Sequence, residues 1–208
     1  MKWLAALLLA GVAAQAAGAE DAPRLFFSRS FPGSAPPYIQ VTVDKSGAVE
    51  YREAVDDELP LKFKLNAANT EEIFGLAEKL DYFKHPLEAP VKVAFMGTKT
   101  FRYENGGAKT EVKFNYSQDT NAQALQDWFE RMAETAQNRI NLERAAKYDH
   151  LGVMKALLLV EGALDRGRLA SPEQFLPLLD RVANNEVYMH TARARAAEIA
   201  ETIRNPKK

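Results

Sequence analysis

Three histidines carry the most obvious chemistry in this chain, and their surroundings decide how much of it is usable. His85 follows Asp81 by four residues, and His150 directly follows Asp149. On a helix a carboxylate four residues away orients an imidazole as a general base, so Asp81 with His85 is one catalytic candidate. Asp149 with His150, beside Tyr148 at a helix junction, is the other. Each has a plainer explanation that the sequence favours. Lys84 and His85 complement the negative end of a helix dipole, and an Asp at a junction caps the helix that follows. His85, His150 and His190 lack metal-ligand spacing, so neither a metal site nor a cofactor is expected. The stretch MGTKT at 96–100 has the composition of a phosphate loop but lacks its Gly-Lys pair and upstream Gly. The chain contains no G-x-S-x-G, no H-E-x-x-H and no acidic calcium loop. Arg193 and Arg195, spaced by two, do not share a helix face, so with Arg204 they read as solvated charge.

Aromatic residues are the other possible binding surface. In TKTFRYENGGAKTEVKFNYS, residues 98–117, Phe101 and Tyr103 share one strand face, and Val112, Phe114 and Tyr116 share the matching face of the next strand. The ENGGA between them supplies the positive-φ residues of a tight turn. Phe101, Tyr103, Phe114 and Tyr116 are therefore candidates for stacking a ligand. The sequence favours burial instead, because cross-strand aromatic pairs stabilise a sheet and a helix follows at once to cover them. Lys99 starts the same face and is expected at its edge, while Thr100, Arg102, Lys113 and Asn115 face the other way.

The elements that must position these residues divide by hydrophobic period. From Arg24 to Tyr116 the period is mostly two: RLFFSRSF, then YIQVTVDKSGAVEYRE with a turn at 44–47, then LPLKFKL alternating Leu59, Leu61, Phe63 and Leu65 against lysines. A first helix is expected from a capping box of Asn69 and Glu72, with Asn66 as an earlier cap, ending at Lys84–Pro86. A second, long helix runs from Asp119 to Tyr148 without Gly or Pro. Its first half should pack on the sheet and its second half lead away. Three further helical segments follow, with Gly167 as a stop, Ser171 as a cap, and Pro177 kinking or shortening the middle one. The expected class is α+β: an antiparallel sheet of about five to six strands covered on one face by helices, then an all-α bundle or stack. Residues 20–137 would form the sheet part and 138–208 the helical extension.

Residues 1–19 read as a secretory signal: Lys2, an apolar run from Trp3 to Ala14, and an A-x-A site at Ala17–Ala19. That run is too short for a permanent span, and with no cysteine the chain offers neither a lipidation thiol nor disulfides. The protein is therefore expected to be exported, periplasmic or secreted, without a transmembrane or lipid anchor. Formal charge is −1 overall, and 12 Lys/Arg against 9 Asp/Glu make residues 138–208 mildly basic. Such a balance gives no case for nucleic acid.

The segments GSAPPYIQVTVDKSGAVEYRE, VAFMGTKTFRYENG, FNYSQD and PEQFLPLLDRV resemble a family of exported bacterial proteins with a domain of unknown function. The resemblance spans most of the chain after the signal; it implies export and fold and carries over no catalytic residue. With no catalytic constellation in the sequence, the expected function is non-enzymatic: binding of another exported or envelope protein through the C-terminal helices. The alternative is an exported hydrolase whose histidine and carboxylates meet only in the fold.

Overall fold

A computed structural model describes residues 22–206, and the signal segment lies outside the described residues. Six strands, β1 (Arg24–Ser30), β2 (Tyr38–Asp44), β3 (Ala48–Arg52), β4 (Leu61–Lys64), β5 (Thr98–Asn105) and β6 (Ala108–Phe114), form one antiparallel sheet in the order β4-β3-β2-β1-β5-β6. Two local hairpins are thus joined by β1, which pairs with β2 on one side and β5 on the other. Turns make the hairpins; only long-range pairing makes the sheet.

One face is apolar because the strands alternate in phase. Leu25, Phe27, Val41, Val43, Val49, Tyr51 and Phe101 are each 1% exposed or less. They meet α1 (Ala67–Lys79) and the first half of α2 (Thr120–Tyr148), with Phe27 stacked on Phe129 at 5.1 Å. The other face is polar: Glu50 pairs with Arg52 and Lys62, and Glu111 with Arg102, Lys109 and Lys113. Such partly exposed pairs add little stability. Lys62, Lys64, Lys109 and Lys113 on the outermost strands do something else, because charged edges resist pairing with another chain.

Past its midpoint α2 leaves the sheet and joins a second core with α3 (Val153–Asp165), α4 (Leu176–Ala183) and α5 (His190–Arg204). Leu142, Val153, Leu157, Phe175, Leu179 and Ala196 are fully buried there. Ala170 returns to the first core, and its N–H donates to Thr135 Oγ1 on α2 at 2.8 Å. Among the described residues no helix is long and apolar enough to cross a membrane.

Several local expectations need correction. Asn66, not Asn69, caps α1, its side chain accepting the Asn69 N–H at 2.8 Å. Glu72 is therefore free of the capping box and accepts from Trp128 Nε1 at 3.0 Å instead. Helix α1 stops at Lys79, five residues before Lys84, because Asp81, Tyr82 and Phe83 all take positive φ (45°, 49° and 67°). Packing offsets that strain: Phe83 sits 5.2 Å from the Phe101 ring, and Tyr82 stacks on Tyr103 at 4.3 Å. Leu59 lies before β4 and is 88% exposed. Ser171 is left-handed at φ 57° and makes no cap hydrogen bond, so α4 begins only at Leu176. Pro177 falls in the first turn of α4, where a missing N–H costs nothing.

Candidate functional site

The sequence-derived candidates scatter across the fold. Asp81 Oδ2 and His85 Nε2 approach to 3.4 Å across the left-handed turn, but the imidazole is 74% exposed. Asp81 is also held by Lys84 Nζ at 2.9 Å, which keeps its carboxyl below the usual range. Asp149 Oδ1 accepts the Gly152 N–H at 3.0 Å at the entry to α3, and the exposed His150 packs edge-on to Tyr188 at 5.2 Å. The five described clefts are lined by none of these four residues.

Among the aromatic candidates, Phe101 and Phe114 are 0% and 3% exposed, with ring centroids 5.1 Å apart in the core. Tyr103 is half-buried under Tyr82. Tyr116 alone reaches a cleft, one it shares with Lys99. On the last helix, Arg195 pairs with Glu161 and Glu198, and Arg204 with Asp180.

What the structure does bring together is a charged slot between α2 and the ends of β1 and β5, and its key residue is Lys99, the lysine expected at the edge of the aromatic face. Lys99 is 3% exposed. Its Nζ donates to the Asn115 carbonyl at 2.6 Å. Burial holds its pKa below the usual lysine value; Arg29 pushes the same way, and Glu130 and Glu88 oppose. Arg29 and Lys99 are cross-strand partners on the helix-covered face. The sheet side of the slot is thus cationic, and the helix side carries Asp127, Glu130 and Glu134.

Arg168 neutralises two of these acids, contacting Asp127 and lying 3.0 Å from Glu134. Glu130 lines both adjoining clefts, of about 370 and 280 Å³, and accepts from Gln126 Nε2 at 2.8 Å. The parity of Lys99 with Phe101 was the one sequence signal for this site; nothing local announced that α2 would close over it. Among the described residues no group of three or more His, Asp and Glu could hold a metal ion.

Compared with known proteins, the chain matches no family model and no curated protein.

Proposed function

We propose that this is an exported interaction protein of the bacterial envelope, periplasmic or secreted, whose C-terminal helices dock another exported protein without catalysing a reaction. The observation that carries the reading is the outer side of α3. Leu151, Leu158 and Leu159 are 77%, 50% and 50% exposed, while Val153, Leu157 and Val160 on the same segment already fill the core. Tyr148, three residues before Leu151, adds exposed apolar surface, and Val187 and Met189 are exposed just before α5. Large apolar side chains grouped on one surface mark a place that a partner covers. Exposed Lys147 and Lys155 accompany them, and residues 138–208 are net basic, so the partner presents an apolar patch bordered by carboxylates. Export is supported by the Lys2, apolar-run and A-x-A pattern, and by the resemblance to exported bacterial proteins.

The test is affinity capture of the tagged full chain from the exported fraction of its native cells, beside a Leu158→Asp/Leu159→Asp variant. Both side chains are half exposed, so the variant should melt like the parent. A stoichiometric protein held by the parent and lost by the variant supports the reading, provided reciprocal capture recovers this chain. A partner held equally by both moves the docking surface elsewhere, and no partner in either sample removes the basis for it.

A further inference from the structure

We propose that the slot between α2 and the ends of β1 and β5 binds a small zwitterion, an ammonium and a carboxylate borne by one carbon as in a free α-amino acid. This does not depend on the α3 docking surface. Three observations carry it.

First, the sheet wall places two cations side by side: Arg29 and Lys99 are direct cross-strand partners, an arrangement in which like charges repel. Neither belongs to any ion pair among the described residues, and Lys99, 3% exposed, has a single hydrogen bond for its three donors. A buried ammonium without a counter-ion is costly.

Second, the facing helix wall holds Glu130, whose described partner is the neutral Gln126 rather than a cation. The two walls attract, since Glu130 acts on Lys99, but they do not close to ion-pair distance. The space between them is open: about 280 Å³ on the Lys99 side and about 370 Å³ on the Arg29 side, with Glu130 on both.

Third, once Arg168 is set aside as the partner of Asp127 and Glu134, the charges left without a partner are segregated by wall: Arg29 and Lys99 on the sheet, Glu130 on the helix. A simple anion would satisfy Arg29 and Lys99 but meet Glu130; a simple cation would have the reverse difficulty. A ligand carrying both charges places its carboxylate on the sheet wall and its ammonium on Glu130. Tyr116 and Met96 then offer apolar surface to its side chain.

The experiment is a thermal-shift screen of the full chain against the common L-amino acids at millimolar concentration, with calorimetric titration of whatever binds. At least one amino acid should raise the melting temperature. Its N-acetyl and carboxamide derivatives, each missing one charge, should not. Glu130→Gln and Arg29→Gln should each weaken binding by about tenfold or more, the loss of one charge-assisted contact. An N-acetyl derivative that binds as well as its parent would reduce the slot to an anion site and overturn the zwitterion. Affinity unchanged in both variants would overturn the location, and a panel without a single binder would overturn the proposal outright.

Discussion

Thr135 is the place where one atom joins the two cores. It is 0% exposed in the middle of α2, and its Oγ1 donates to Arg131 O at 2.7 Å while accepting the Ala170 N–H at 2.8 Å. Ala170 is itself 0% exposed and packs in the sheet core, so no water replaces a lost acceptor. Thr135→Val keeps the shape and removes the oxygen. Arg131 O retains its helical partner, but the Ala170 N–H becomes a buried, unsatisfied donor, which costs about 1–3 kcal/mol. Helix propensity adds almost nothing, because Thr and Val rank together. Thr135→Ser keeps the oxygen and loses one methyl, about 0.8 kcal/mol. For a chain of this size each kcal/mol moves the melting temperature by about 2–4 °C. At the middle of that range, about 2 kcal/mol, the valine variant should melt about 4–8 °C below the parent, with serine in between. The assay is urea and thermal unfolding followed by far-UV circular dichroism and by Trp128, seven residues earlier on α2 and the single tryptophan among the described residues. A valine variant within about 1 °C of the parent, or a serine variant as unstable as the valine one, would refute the reasoning.

Two further predictions concern backbone space and charge. Gly47 sits at φ +83°, and a Cβ there would lie 2.7 Å from Leu65 O and 2.8 Å from Thr70 Oγ1, whereas Gly106 at φ +52° has nothing within 4 Å. Gly47→Ala should cost about 2 kcal/mol or more and Gly106→Ala about 1 kcal/mol, so equal urea midpoints for the two would contradict the close approach. Lys99 has its pKa lowered in the fold by burial, so between that lowered value and the unfolded 10.5 the unfolded chain binds more protons. Stability should consequently rise with pH through this window, and Lys99→Met should remove that part of the rise. Parallel stability curves for parent and variant from neutral to alkaline pH would show that the ammonium is solvated.

Much of this architecture is legible from short-range pattern. Period-two alternation sets which side of β2, β3, β5 and β6 is apolar, and it does so with the register later seen in the Val43–Val49 and Phe101–Val112 pairs. The uninterrupted run after Asp119 specifies a 29-residue helix, with Asp119 Oδ1 accepting the Asn121 and Ala122 N–H groups. These features depend on neighbours two to four residues apart, so the chain states them locally.

Other features have no local statement. That β1 stands between β2 and β5 rests on partners such as Phe27 and Phe101, 74 positions apart. The left-handed turn at Asp81–Phe83 opposes the local preference of Tyr82 and Phe83, and it sets the Phe83 ring 5.2 Å from Phe101, a contact between residues 18 positions apart. Lys99 carries the same parity whether buried or exposed. Only α2, arriving some 20 residues later with Glu130 turned toward the sheet, makes it a wall of a charged slot. Sequence by itself determined the elements and their faces, since periodicity is a short-range property. Tertiary structure decided which charges meet, because that depends on how faces far apart in the chain are brought together.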